Sequence, residues 1–186
     1  MHKSTTPSDW VARWSHLIRH QARVLDLACG WGRHTRYLSI LGHKITAVDR
    51  DAEALGSLTG LAETLCADIE NGPWPLPDRQ FDAIVVTHYL WRPLWPTILR
   101  SLAPGGVLIY ETFSAGNETV GKPSRPDFLL QPGELLARCE GMRIVAFEDG
   151  FLPAPDRFIQ RIVAIQSTTP TGTDCSTNHT PARYVL

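Results

Sequence analysis

Short apolar runs alternate along the chain with segments whose apolar residues recur at helical spacing. The pattern predicts five short strands, over 23–28, 44–49, 64–68, 81–88 and 107–113. It predicts helices between several of them, over 33–41, 51–58 and 94–102. Alternation of strand and helix favours right-handed β-α-β crossovers, and therefore a mostly parallel sheet covered by helices on both faces.

The carboxyl-terminal part of the chain follows a different pattern. A long loop over 114–132 leads to a predicted helix over 133–140. Two further strands, over 142–149 and 157–165, are separated by so few residues that we expect an antiparallel hairpin.

The two ends of the chain are expected to lie outside this pattern. Ser8 is a suitable N-cap for a helix with an apolar face from Trp10 to Ile18. We therefore expect a helical extension over 1–22 and one α/β domain over 23–166. The residues of 167–186 are polar and show no periodicity, so we expect a disordered tail.

Composition narrows the class of protein. The formal net charge of −1 gives no simple electrostatic case for a nucleic-acid-binding protein, although a local arginine patch remains possible. No apolar run reaches the roughly 20 residues of a membrane span, and the amino terminus lacks the apolar core of a signal peptide. The cysteines lie far apart, so we expect no metal site, and we expect a cytoplasmic protein with reduced thiols.

A glycine turn follows the first predicted strand. Gly30 and Gly32 allow a sharp turn and a close approach of a ligand to the backbone, directly before a helix. A tight connection without a ligand would use the same glycines. A dinucleotide site is disfavoured, because Thr35 stands where its third glycine would be. Asp26 in the strand instead suits a cofactor that carries an ammonium group.

Two more carboxylates end the second and third predicted strands. Asp49 is placed to accept hydrogen bonds from both hydroxyls of a ribose, although it could also cap the helix that follows. Asp68 could accept the exocyclic amine of an adenine while Ile69 packs on the ring. Each alone is a common cap or turn residue, but all three acids come to the same edge of a parallel sheet.

The ordered motifs VLDLACGWGRHT, TAVDRD, CADIE, FDAIVVTHYL and LAPGGVLIYETF resemble those of class I S-adenosylmethionine-dependent methyltransferases. The stretch from Val120 to Gly150 further resembles the tellurite-resistance type. Ala28 stands where the family's motif has its first glycine. The resemblance implies a Rossmann-like three-layer α/β/α sandwich with a seven-stranded, mostly parallel sheet and a C-terminal antiparallel hairpin.

By the same resemblance the cofactor is S-adenosyl-L-methionine. The candidate cofactor-binding residues are Asp26, Ala28, Gly30, Gly32, Arg33, Asp49, Arg50, Asp68, Ile69, Thr87 and His88. Arg33 could pair with the cofactor's carboxylate or be a solvated helix arginine. The candidate catalytic residues are His88, Glu111 and Arg125, the last in a possible lid over 114–132 that Gly116 and Gly121 would let move.

The sequence favours methyl transfer to a small-molecule acceptor. Two alternatives stay open, namely an RNA methyltransferase and a cofactor-binding regulatory protein without catalysis. Neither the acceptor nor the oligomeric state follows from the sequence.

Overall fold

The computed structural model of the protein describes residues 5–168 and 184–185. Its seven strands form one sheet in the order β3-β2-β1-β4-β5-β7-β6. The strands are β1 (Arg23–Leu27), β2 (Lys44–Asp49), β3 (Glu63–Cys66), β4 (Phe81–Thr87), β5 (Leu102–Phe113), β6 (Arg143–Leu152) and β7 (Arg157–Ile165). The helices are α1 (Asp9–Trp14), α2 (Arg33–Ile40), α3 (Ala52–Gly56), α4 (Trp95–Arg100) and α5 (Glu134–Arg138).

The sheet has the direction pattern that the sequence predicts. The strands β1 to β5 pair in parallel, and β7 inserts antiparallel between β5 and β6. The Rossmann-like fold with its C-terminal hairpin is therefore confirmed.

Alternate residues of the central strands pack on opposite faces of the sheet, as the period of a strand requires. Val24 joins a core cluster with Trp10, Trp14 and Leu38 of α1 and α2, whereas Leu25 joins one with Trp95 and residues of α4 and α5. The N-terminal helix is thus part of the core of the domain rather than an appendage. Ser8 caps it as predicted, since its Oγ accepts a hydrogen bond from the Trp10 N–H.

Several boundaries differ from the prediction. The run Ala103–Gly106 was expected to be a turn, but it lies within β5, where the pairing register shifts between Phe81 and Ala83. The helices α3 and α5 are shorter than predicted, and β6 runs three residues further, to Leu152. The sequence pattern did not predict a strand over Ala103–Gly106 because glycine is rare in strand interiors.

Within the tail predicted to be disordered, 167–186, residues 184 and 185 contact the domain. Tyr184 packs against the core cluster that contains α1, and the carbonyl of Val185 lies 3.1 Å from His16 Nε2. The part of the predicted tail over 169–183 lies outside the described residues. An aromatic residue that docks on a distant helix leaves no periodic trace in its own segment.

A buried carboxylate stabilises the amino edge of the sheet, far from the motifs of the site. Asp82, at the start of β4, accepts hydrogen bonds from Arg19 Nη2 and from the Arg23 N–H, both at 2.8 Å. Burial alone would raise the pKa of Asp82, but these donors and the two guanidiniums outweigh it and lower the pKa below its usual value.

We expect Asp82→Asn to lower the free energy of unfolding by about 1.5–3 kcal/mol at neutral pH, the range for hydrogen bonds to a charged group. The pKa of Asp82 is lower in the folded protein than in the unfolded one, where it is about 4. The carboxylate therefore stabilises the fold at pH values above about 4, and this stabilisation is lost as the pH falls through the pKa of the folded state. Urea unfolding at pH 7 and pH 3 should show the difference from wild type narrowing at the lower pH. Glu53→Gln, at an exposed carboxylate of α3, is the control, and an Asp82 variant as stable as this control would contradict the assignment.

Candidate active site

The glycine turn lies between β1 and α2, at the carboxyl edge of the sheet. Gly30 and Gly32 both have positive φ, at +52° and +71°. A Cβ at Gly32 would collide with the Leu58 side chain, so this glycine serves helix packing. A Cβ at Gly30 would meet nothing within 4 Å, so the backbone there faces open space. Ala28 also has a positive φ, of +54°. A glycine would adopt this conformation freely, whereas an alanine adopts it at a cost in backbone strain.

Asp49 ties the glycine turn to the end of β2. One carboxylate oxygen accepts the Gly30 N–H at 2.7 Å and the other accepts the Asp51 N–H at 2.9 Å. The cap of α3 is Asp51, whose side chain accepts from Ala54 N–H. Asp49 is therefore not the helix cap, and each of its oxygens keeps a lone pair for a further donor.

Asp49 lines a pocket of about 170 Å³ at the ends of β1 to β4. Its walls are Ala28, Asp49, Arg50, Ala67, Asp68, Ile69, Glu70 and Tyr89. Asp68 Oδ2 accepts from the Asn71 side-chain amide at 3.0 Å, and Oδ1 accepts from the N–H groups of Glu70 and Asn71. The side-chain bond and then these backbone bonds lower the pKa of Asp68. The structure thus brings Asp49, Arg50, Asp68 and Ile69 together as expected, and adds Glu70 and Tyr89.

Asp26 lies beneath the turn and is almost fully buried. It accepts a 2.6 Å hydrogen bond from Thr35 Oγ1. Burial raises the pKa of Asp26 to about 6, in spite of the hydrogen bonds from Thr35 and the charge of Arg33. A cation placed beside this carboxyl group would favour its ionised form.

The end of β4 directs two successive side chains to two cavities. His88 has a φ of +54°, which is uncommon for a residue other than glycine. Tyr89 lines the smaller pocket, and His88 lines a cleft of about 840 Å³ on the other side. The His88 ring is tilted by 33° against the Phe113 ring, with 5.0 Å between their centres. Arg33, Glu111, Lys122 and Arg157 line the same cleft. Lost hydration and the Arg33 guanidinium lower the pKa of His88, so the ring is neutral at pH 7.

Residues 6–9, which we call the N-terminal strap, form another wall of this cleft. The Ser8 N–H donates to His34 Nε2 at 3.1 Å, and Ser8 Oγ donates to Glu111 Oε1 at 2.8 Å. Burial lowers the pKa of His34 to about 3, so the ring is neutral and its Nδ1–H is left to donate to Thr87. No local sequence pattern indicates this network, because its members are up to 103 residues apart.

Glu111 and Thr87 are thus engaged within the protein. The second oxygen of Glu111 lies 3.4 Å from Arg161 Nη1, and the Arg161 guanidinium lies 4.7 Å from the centre of the Trp10 ring. Glu111 is buried, it lines the cleft, and its contacts hold the strap on β5.

The loop 114–132 is fixed at its base. Ala115 N–H donates to the Leu130 carbonyl, and Asn117 Oδ1 accepts from the Phe158 N–H. Arg125 does not line the cleft; its guanidinium donates to Asp127 at 3.0 Å and lies over the Phe128 ring. Lys122 is the basic residue of the loop that faces the cleft. Motion of a lid would be confined to the exposed tip of the loop, and a role for Arg125 in the cleft has no geometric support.

Within residues 5–168 and 184–185, no group of three or more histidine, cysteine, aspartate or glutamate side chains is arranged to hold a metal ion. In the same part of the chain, no helix combines the length and apolarity needed to cross a membrane.

The chain resembles known methyltransferases in sequence. Residues 24–106 match the family model of a methyltransferase domain. A malonyl-[acyl-carrier protein] O-methyltransferase of Enterobacter lignolyticus is 34% identical over 52% of this chain and 41% of that protein. The probable S-adenosyl-L-methionine-dependent methyltransferase TehB of Haemophilus influenzae is 30% identical over 43% of this chain and 30% of that protein. The chain therefore spans less than half the length of these relatives.

Solved structures agree on the fold. TehB from Haemophilus influenzae superposes with a TM-score of 0.74 at 20% identity, over 89% of this chain and 64% of that one. The [4+2]-cyclase SpnF superposes with a TM-score of 0.65 at 18% identity, over 86% of this chain and 79% of that one. Residues 24–106 are therefore similar to a methyltransferase domain, and the chain has the Rossmann-like fold of solved S-adenosylmethionine-dependent methyltransferases.

Proposed function

We propose that the protein transfers a methyl group from S-adenosylmethionine to a small anionic acceptor. The observation that carries this proposal is the pair of cavities at one edge of the sheet, to which the successive residues His88 and Tyr89 point separately. The smaller pocket suits an adenosine and the larger cleft suits a methyl acceptor. A methyl group held between the two cavities would therefore face its acceptor.

The residues of the smaller pocket fit the cofactor. The free lone pairs of Asp49 suit ribose hydroxyls, Asp68 and Ile69 suit an adenine, and the open space beside Gly30 admits a ligand against the backbone. Asp26 suits the ammonium group of S-adenosylmethionine, since a cation beside it would offset the cost of burying the negative charge of the carboxylate. When bound, the cofactor would supply an electrophilic methyl group with a good leaving group.

The larger cleft favours an anionic acceptor. Four basic residues, Arg33, Lys122, Arg157 and Arg161, line it with three carboxylates, Asp9, Glu111 and Asp156. Of these carboxylates, Glu111 is already paired with Ser8 and Arg161. Cations there can neutralise and orient an anion, and alignment supplies much of the rate enhancement in methyl transfer. The neutral imidazole of His88 can accept a proton if the acceptor must lose one.

The two alternative functions have less support. The basic residues of the cleft are partly enclosed by the strap, which suits a small molecule better than a strand of RNA. The likeness to SpnF shows that proteins of this fold include one named a cyclase, so a cofactor-binding protein without methyl transfer is the second candidate. Incubation with methyl-labelled S-adenosylmethionine and pools of small anionic metabolites or RNA tests all three, and labelled RNA or no labelled product would contradict our proposal.

The ribose assignment predicts the effect of one substitution. Asp49→Ala should weaken binding of S-adenosylmethionine about 10- to 100-fold, the equivalent of roughly 1.5–3 kcal/mol for hydrogen bonds to a charged group. Isothermal titration calorimetry measures the affinity. Asp51→Ala removes a neighbouring carboxylate that caps α3 and lies outside the pocket, so it is the matched control. Equal affinities of the two variants would remove Asp49 from the ribose site.

Cofactor affinity should depend on pH through Asp26. Its carboxyl group is protonated below a pKa of about 6 in the free protein, and only the carboxylate attracts an ammonium group. The affinity should therefore rise between pH 5 and pH 7, over which the cofactor's ammonium stays largely charged. Asp26→Asn should bind more weakly and without this rise. A flat profile for the wild-type protein would show that Asp26 does not contact the ammonium group.

The acceptor cleft predicts contrasting effects of two arginines. Arg157→Gln should raise the KM for an anionic acceptor about tenfold or more and leave cofactor affinity unchanged, because its guanidinium lines only the larger cleft. Arg125→Gln should change neither. Methyl-transfer kinetics with the acceptor found in the labelling experiment give both values. A raised KM for Arg125→Gln with none for Arg157→Gln would reverse our placement of the acceptor.

A further inference from the structure

The larger cleft carries apolar side chains beside its charged ones. Single exposed apolar residues are normal on a protein surface, whereas several that gather in one concavity commonly mark a binding surface. Those of the cleft come from the end of β5, from the loop after it and from the β6–β7 hairpin, and they are Phe113, Val120, Leu152, Pro153, Ala154 and Pro155. Val120 is 41% exposed, so the rest of the domain does not cover it. A purely hydrophilic acceptor would leave this apolar surface in contact with water.

The β6–β7 hairpin places an apolar and a cationic side chain side by side. Leu152 and Arg157 are directly paired across the two strands, and both line the cleft. Residues directly opposite each other in an antiparallel pair project to the same face, with their Cβ atoms about 5 Å apart. The neighbouring pair, Phe151 and Phe158, projects to the other face, where the two ring centres are 5.2 Å apart. A ligand in the cleft thus meets a guanidinium and an aliphatic side chain at adjacent positions.

The loop after β5 repeats this combination on another wall, since the apolar Val120 and the cationic Lys122 both line the cleft. The buried Asn117 holds this part of the loop. Its carbonyl accepts from the Val120 N–H at 3.1 Å, and its side-chain amide donates to the Pro123 carbonyl at 2.9 Å. Its Oδ1 accepts from the Phe158 N–H of the hairpin at 3.2 Å. Asn117 therefore ties the two walls together, and their apolar and cationic groups are arranged before a ligand binds.

Three cations of the cleft have no ionic partner. Among the described residues, Arg33, Lys122 and Arg157 form no ion pair with a carboxylate, whereas Arg161 is paired with Glu111. The attraction between opposite charges is stronger beside apolar walls than in open water, because the walls lower the local dielectric constant. These three side chains therefore favour a ligand that carries negative charge.

Two carboxylates limit how much negative charge that ligand can carry. Asp9 and Asp156 are exposed and line the same cleft. They would repel any anionic group beyond the one that pairs with the cations. A ligand with one charged group and an apolar remainder therefore fits the cleft better than a polyanion.

We propose that the acceptor is a monoanionic acid whose apolar part adjoins its charged group, and that Leu152 and Val120 select for it. Arg157 pairs with the charged group, while Leu152 packs on the adjoining hydrocarbon. This inference rests on the proposed function, because it takes the larger cleft to be the acceptor site. It narrows the small anionic acceptor to a hydrophobic one.

The test compares three probes that separate charge from apolar surface. Phenylacetate carries both, phenylacetamide lacks the charge, and acetate lacks the ring. Amide NMR titrations in the presence of S-adenosylhomocysteine give a Kd for each probe. We expect phenylacetate to bind about tenfold more tightly than either of the others, with the largest signal changes at Leu152 and Arg157.

Two substitutions assign the contacts. Leu152→Ser should weaken binding of phenylacetate about tenfold and leave that of acetate unchanged. Arg157→Gln should weaken binding of phenylacetate and leave that of phenylacetamide unchanged. Leu61→Ser is the matched control, at a leucine that is 42% exposed at the opposite edge of the sheet, and it should bind all three probes as wild type does. If melting shows that Leu152→Ser is unfolded, Val120→Ser in the exposed loop replaces it, with the same expected effect.

The contrary outcomes are distinct. Acetate or phenylacetamide binding as tightly as phenylacetate would overturn the inference, as would wild-type affinity of the serine variant for phenylacetate or no binding of any probe. The proposed function would survive these results, since a hydrophilic anion could still be methylated. Selective binding of phenylacetate by a protein that yields no labelled methyl product would instead contradict the proposed function, and only the ligand class of the cleft would stand.

Discussion

The hydrogen bond from the Gly30 N–H to Asp49 is the interaction on which the candidate site depends. The parallel pairing of β1 with β2 brings the glycine turn beside the end of the next strand, and the carboxylate then fixes the turn. Because Asp51 caps α3, Asp49 is free to hold the turn and to present its remaining lone pairs to the pocket. The turn is therefore shaped by the protein before any ligand arrives, which lowers the ordering cost of binding.

A second constraint divides the carboxyl edge into two sides. The left-handed conformation of His88 costs energy in any residue other than glycine, and the surrounding contacts of β4 and β5 hold it in place. His88 and the adjacent Tyr89 line different cavities. The proposed cofactor side and the proposed acceptor side thus meet at the end of β4.

The parts of the fold that were predictable are those encoded locally. Apolar runs ending in Asp26, Asp49 and Asp68 were sufficient to place three acids at one edge, because parallel strands must align their ends. The Ala103–Gly106 segment was misassigned because its glycines and proline favour a turn locally, whereas in the structure it is an irregularity within β5, between Leu102 and Val107, which both pair with β4.

Contacts between distant segments could not be predicted. Nothing near Ser8 indicates that it bonds Glu111, and nothing in the loop sequence distinguishes Lys122, which faces the cleft, from Arg125, which pairs with Asp127. Tyr184 likewise packs against the core cluster that contains α1, although its own segment shows no apolar periodicity. These positions depend on which surfaces meet after folding, and a single sequence does not specify that in any local pattern.

The N-terminal strap has a consequence for how such a protein can diversify. The strap lines the acceptor cleft but takes no part in the smaller pocket, and a few hydrogen bonds through Ser8 attach it to the rest of the domain. A different leading segment joined to the same sheet would therefore remodel the acceptor cleft while leaving the glycine turn and its carboxylates intact. In this architecture a change of the segment before α1 alters the larger cleft and leaves the smaller pocket as it is.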